Sequence, residues 1–93
     1  MLFRSEDEEG LYRAMVKQFP NDAKYAVALG AACVRSGDHA EAKKTMTPLT
    51  IHALPAVKAA AHYQLARSEY RQKHAEQALK HVQSALQIGR AHV

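Results

Sequence analysis

Ninety-three residues, 47% of them apolar and 24% charged, suit one small folded unit and are too apolar for a disordered chain. Thirteen Lys and Arg against nine Asp and Glu give a net charge of +4, spread unevenly: four of the acids sit at 6–9, and from Lys43 onward eight Lys and Arg face two acids. The single cysteine, Cys33, excludes an internal disulfide, and no apolar run approaches the ~20 residues needed to span a bilayer.

The first helix is expected over 5–19. The Ser5 hydroxyl can cap its free amides while Glu8 reaches back, and acids at 6–9 suit the positive end of a helix dipole. Leu11, Tyr12, Met15, Val16 and Phe19 recur at helical spacing before Pro20-Asn21-Asp22 opens a turn. The second helix, capped by Asn21 or Asp22, holds nine consecutive apolar residues from Ala26 to Val34. A helix apolar all round must be covered on more than one side. Cys33 lies in this run and reads as a small buried hydrophobe rather than a reactive thiol.

Ser36-Gly37-Asp38 predicts a tight turn, with Gly37 at positive φ and Asp38 capping the next helix over Glu41. That third helix turns Ala42, Met46 and Leu49 inward, and Pro48 predicts a kink or an early end. Residues 50–54 lead to a fourth helix that starts at Pro55, is rich in Ala and runs to about Gln72. The fifth begins near Ala75, presents Ala75, Ala78, Leu79, Val82, Ala85 and Leu86 as an inward face, and has Gly89 as its expected C-cap. No stretch reads as a strand.

Six histidines raise the question of metal. Only His74 and His81 share a helix face, seven apart where a zinc pair wants four, and His39, His52, His62 and His92 are scattered, so no metal site is expected. Without a Gly-rich phosphate loop, paired carboxylates or triad spacing, neither an enzyme nor a cofactor is expected. The basic carboxyl-terminal half fits an acidic partner, anionic lipid or nucleic acid, or is simply a solvated face. A helix-turn-helix nucleic-acid binder is the alternative function. Its recognition helix would open on Arg, Gln, Ser or Thr, whereas the fifth helix opens Ala75-Glu76-Gln77-Ala78, so nucleic acid is not the expected partner. The start, Met1-Leu2-Phe3-Arg4 followed at once by Ser5-Glu6-Asp7, lacks the apolar stretch of a signal peptide, and a cytoplasmic location is expected.

Two stretches correspond: Leu29-Gly30-Ala31-Ala32-Cys33-Val34-Arg35-Ser36-Gly37-Asp38-His39-Ala40-Glu41-Ala42 and, 36 residues on, Leu65-Ala66-Arg67-Ser68-Glu69-Tyr70-Arg71-Gln72-Lys73-His74-Ala75-Glu76-Gln77-Ala78. A period in the 30s containing two helices marks a helical solenoid. These residues resemble the tetratricopeptide repeat (TPR) family, whose repeats are antiparallel helix pairs with small residues at the crossings. Leu29-Gly30 is similar to the family's Leu-Gly pair and Gly37-Asp38-His39-Ala40-Glu41-Ala42 to its Gly-Asp-Tyr-Glu-Glu-Ala turn. Leu65-Ala66, Ala78, Val82 and Ala85 fall at matching sites of a second repeat.

The resemblance implies an all-α, TPR-like right-handed α-solenoid of about five helices. A single domain over 1–93 would comprise a leading helix (5–19), repeat 1 (22–53) and repeat 2 (55–89). The family's period is 34, and the longer Pro48–Leu54 connection accounts for 36 here. His39-Ala40-Glu41 matches His74-Ala75-Glu76 at a spacing of 35, which predicts a one-residue slip in the turn. In helix 4 the family's buried sites include the polar His62 and Glu69, while Ala59, Tyr63, Ala66 and Tyr70 form a more apolar, rotated alternative.

In the family the first helices of the repeats line a groove that binds a peptide or a partner helix. Carried over by position, that surface comprises Lys24, Val27, Ala31, Val34 and Arg35, then Tyr63, Arg67, Tyr70 and Arg71. It implies a non-catalytic adaptor, scaffold or assembly factor whose partner is another protein, with an acidic or carboxylate-bearing segment, since Arg pairs carboxylates bidentately. The competing reading places Tyr63 and Tyr70 in the core. The family's chaperone clamp uses asparagines in first helices; Asn21, the only Asn, lies in a turn, so that activity is not expected. Two repeats and a helix fall short of the three a solenoid usually needs. Hence a homo-oligomer or a complex is expected, with Leu2 and Phe3 as candidate contacts.

Overall fold

The computed structural model describes the backbone of residues 5–92 and the side chains of residues 8–90. The Leu2 and Phe3 contact and the side chain of the Ser5 cap lie outside the described residues. Five helices follow one another: α1 (Ser5–Gln18), α2 (Ala23–Ser36), α3 (His39–Met46), α4 (Pro55–Arg71) and α5 (Ala75–His92), with a 3-10 turn at Thr47–Ile51. The chain is all-α, with no strand among the described residues.

Local chemistry explains most boundaries. The Asp22 carboxylate accepts from the Lys24 amide at 3.1 Å, which selects Asp22 over Asn21 as the cap of α2. Gly37 ends that helix at φ 85°, and Asp38 caps α3 through the Glu41 amide at 3.3 Å. Pro48 sits at the start of the 3-10 turn and Pro55 at the start of α4, where a missing amide hydrogen costs nothing. Gly89 is not a cap. It lies in open space and α5 continues through it to His92, because a helical glycine stops nothing unless the chain turns there.

The two helix–helix turns superimpose at a spacing of 36, with no slip. Gly37 and Lys73 both take the left-handed conformation, at φ 85° and 66°. The Asp38 amide donates to the Cys33 carbonyl at 2.9 Å, as the His74 amide does to Glu69 at 2.8 Å. Ala42 to Asp38 and Ala78 to His74 are both 3.0 Å. The expected 35-residue match was a likeness of letters, not of backbone: His74 occupies the place of Asp38, not of His39.

Each helix packs on its chain neighbour where a tight turn joins them, and α4 packs in addition on α2 and α3. One core cluster gathers Leu29, Cys33, Val34 and Ala42, with Tyr12 and Val16 of α1 laid against it. A second joins Met46 of α3 to Ala61 and Leu65 of α4. The apolar run of α2 is covered from three sides, as its composition requires.

Two expected faces differ. In α4 the buried set is Ala61, Gln64, Leu65, Ala66 and Ser68, whereas Tyr63 and Tyr70 are 54% and 73% exposed, so neither tyrosine is core. Among the described side chains of α5 only Ala78 is buried, and Leu79, Val82 and Leu86 stand exposed. The cause is sparse cover: among the described helices α4 is the one against which α5 packs extensively.

Gly30 sets the closest approach. A Cβ there would overlap the Met46 Cε and lie 2.7 Å from its Sδ. Overpacking of about 1–3 kcal/mol outweighs the helix propensity of roughly 1 kcal/mol that Ala gains over Gly, so Gly30→Ala is expected to destabilise. Met46→Ala is expected to lose about 2–4 kcal/mol by cavity formation. In urea titrations the double variant should lose less than the two single losses combined, because the cavity accepts the new methyl. At Lys73, a non-glycine in the left-handed region, Lys73→Gly is expected to raise the unfolding free energy by about 0.5–1 kcal/mol in the same assay.

Candidate interaction surface

The surface residues implied by the resemblance separate into several environments. Lys24 is exposed at the start of α2, its Nζ 3.7 Å from Asp22 and 4.9 Å from the Tyr25 ring centroid. It lines a cavity of ≈ 710 Å³ between the α1–α2 turn, through Phe19, and Leu54 and Val57 near the start of α4. Val27 and Ala31 are half-buried, and Val34 has no exposed surface. Arg35 pairs with Glu8 of α1.

Tyr63, Arg67 and Tyr70 come together on α4, as their spacing predicts. With Ala66 and, from α5, Ala75, Ala78, Leu79 and Val82 they line a groove of ≈ 480 Å³. The Arg67 guanidinium carbon lies 5.9 Å from the Tyr63 ring centroid, and its Nη1 donates to Gln64 Oε1 at 3.1 Å. Each aromatic ring offers an apolar face with a polar tip to the groove.

Arg71 is engaged elsewhere. Its Nη1 donates to the Val34 carbonyl at 2.6 Å and lies 3.3 Å from that of Arg35, so it caps the carboxyl end of α2. This link needs the α2–α4 contact, which chain order alone does not reveal.

The polar seams were also hidden from sequence reasoning. Glu9 is largely buried and accepts from the Ser36 hydroxyl, while Arg13 lies 3.7 Å from both Glu9 and Glu41, tying α1 to α2 and α3. His39 Nδ1 meets the buried Ser68 Oγ at 2.8 Å across the α3–α4 seam. His62 and His81 face each other across α4 and α5 with their Nδ1 atoms 3.0 Å apart. Glu69 and His74 make a second contact across the same hairpin, at 2.7 Å. Both pairs are equidistant from one point of the turn, and that symmetry was the signal available in the sequence.

Burial pushes the Cys33 thiol up to about 12, helped by the carboxylates of Glu9, Asp38 and Glu41, so it stays a neutral core group. Burial pulls both imidazoles of the His pair below their ordinary value. For His62 the neighbouring His81 and Lys58 act in the same direction; for His81, Lys43 adds to it and Glu69 opposes it.

Comparison of the chain with protein-family models, curated proteins and solved structures finds no match. Among the described residues, no group of three or more His, Cys, Asp or Glu has a geometry that could hold a metal ion, and no helix is long and apolar enough to cross a membrane.

The lowered His62 and His81 values give the pH dependence its sign. Below about pH 6.5 the unfolded chain binds protons that the folded pair resists, so stability is complete above that pH and falls as pH drops through the folded values. Thermal melts between pH 8 and pH 4 are expected to show this acid limb (pH range of roughly the His titration). His81→Gln is expected to flatten it.

Proposed function

We propose that this chain is a non-catalytic interaction module of the TPR type, an adaptor or assembly factor that holds a protein partner carrying acidic or carboxylate groups. The observation that carries this reading is the α4–α5 groove, where Tyr63 and Tyr70 stand exposed beside Arg67 over an apolar floor. Exposed aromatic and Arg side chains in a concave apolar setting are the residue types that dominate protein interfaces. The solenoid reading draws support from the serial packing of the helices, from α4 seated on the preceding hairpin, and from the 36-residue repetition of the turn. The buried pairs Leu29 and Leu65, and Ala42 and Ala78, recur at the same spacing. A soluble cytoplasmic setting belongs to this proposal.

The test is affinity capture with mass spectrometry, comparing the native chain with Arg67→Glu. Arg67 is the better choice than Arg71, whose loss would also uncap α2. An acidic protein captured by the native chain and lost at least about tenfold by Arg67→Glu, with unchanged helicity, is the expected result. Capture that ignores the charge reversal removes the proposed surface. Salt-dependent binding to random duplex DNA, with no protein captured, replaces the reading with the nucleic-acid alternative.

A further inference from the structure

The molecule contains its own template for what the α4–α5 groove accepts. Moving the groove residues back by one 36-residue period gives Val27, Gly30, Ala31 and Val34 of α2 with His39, Ala42, Lys43 and Met46 of α3. That earlier surface is occupied by α4. Ala61 and Leu65 close over Met46, Ser68 meets His39, and Arg71 reaches the Val34 carbonyl. Val34, beside Arg71, and Met46, under Ala61 and Leu65, have no exposed surface there. Their equivalents Tyr70 and Val82 remain 73% and 38% exposed.

Solvation does not account for the residues at the open position. A face meant for water replaces apolar side chains with polar ones. Here the exposed Lys43 of the covered hairpin becomes Leu79, which is 57% exposed. Ala31, half-buried, becomes Arg67, and Val27 becomes Tyr63. The open groove has therefore gained apolar area together with one cation at its edge. Arg67 is the one charged residue in its lining, and no acid lines it. Apolar area with a positive rim fits an occupant that is apolar on one side and acidic beside it.

We infer that this groove docks one amphipathic α-helix of a protein partner, seated as α4 is seated on α2 and α3, with its small-residue and Leu stripe on Tyr70, Leu79 and Val82 and a carboxylate against Arg67. This rests on the interaction-module reading and adds the form and charge of the occupant. A helix rather than an extended strand is required because the template is a helix held by side chains at i, i+4 and i+7 of α4.

The test uses the full chain and a labelled peptide of its own residues 55–71. One form is unmodified, and one carries K58E and R67E so that its net charge is negative. Fluorescence anisotropy is expected to show saturable binding of the acidic form. Tyr70→Asp and Leu79→Asp in the full chain should each weaken it at least about tenfold, with unchanged circular-dichroism melts because both sites are exposed. Arg67→Glu should erase the preference for the acidic form over the unmodified one. Absence of saturable binding, or binding indifferent to Leu79→Asp, overturns the inference. Sedimentation showing that Leu79→Asp dissociates a dimer also overturns it, by giving the groove to a second copy. If proteins captured in the cell are unaffected by Tyr70→Asp and Leu79→Asp, the inference falls and the adaptor reading stands. A chain that captures nothing yet binds the peptide here keeps the docking site and loses the adaptor reading.

Discussion

The contact between Gly30 and Met46 sets the distance between α2 and α3, and through it the seat on which α4 rests. Met46 has no exposed surface because it lies between α2 on one side and Ala61 and Leu65 on the other. A methyl group at position 30 would drive that side chain outward, toward the helix it supports. The rest of the crossing follows the same economy of size: Ala32, Cys33 and Ala42 are fully buried and small. Small residues bury little area each, but they bring helix axes close enough for neighbouring backbones and side chains to be in full contact. A chain of this length has little apolar area to spare, and close approach is how it makes a core without large side chains.

Polar contacts at the seams complement that close packing. Glu9, Ser68 and Gln64 are largely buried, each has a hydrogen-bond partner, and no buried side-chain nitrogen or oxygen among the described residues is left without one. Left unpaired, each would cost about 1–3 kcal/mol, so a rotated or slid helix is penalised even where its apolar contacts survive. The Ser36–Glu9 contact fixes α1 on α2, His39–Ser68 fixes α4 on α3, and Arg71 fixes α4 on the end of α2. Apolar burial holds the helices together, and these contacts select their register.

What the sequence made legible was what local chemistry controls. Helix number, the Gly37 turn, the caps at Asp22 and Asp38 and the breaks at Pro48 and Pro55 all depend on residues within a turn of each other. The grouping of Tyr63, Arg67 and Tyr70 on one face followed from helical periodicity for the same reason. The misreadings arose where the answer depends on a neighbour distant in sequence. Leu79, Val82 and Leu86 form a sound amphipathic stripe, yet periodicity says only that they share a face, not that anything covers it. The turn register was misjudged because His39 and His74 invited alignment by identity, whereas backbone conformation pairs Gly37 with Lys73, two residues with no chemical likeness. The His62–His81 contact required the hairpin register and so waited on the same correction.

Val34 and Tyr70 show how cover by a neighbouring helix, not hydrophobicity, decides exposure. They occupy equivalent places one period apart, accept equivalent turn hydrogen bonds, and differ in that α4 lies over the first. Among the described residues the α4–α5 hairpin exposes Tyr63, Tyr70, Leu79 and Val82 beside the charged Arg67. Tyrosine suits that exposure, since its ring covers apolar area and its hydroxyl remains in water. A valine at position 70, matching Val34, would need the cover that α4 supplies one period earlier. The choice of Tyr at that site lets the groove stand open in water without losing the apolar face.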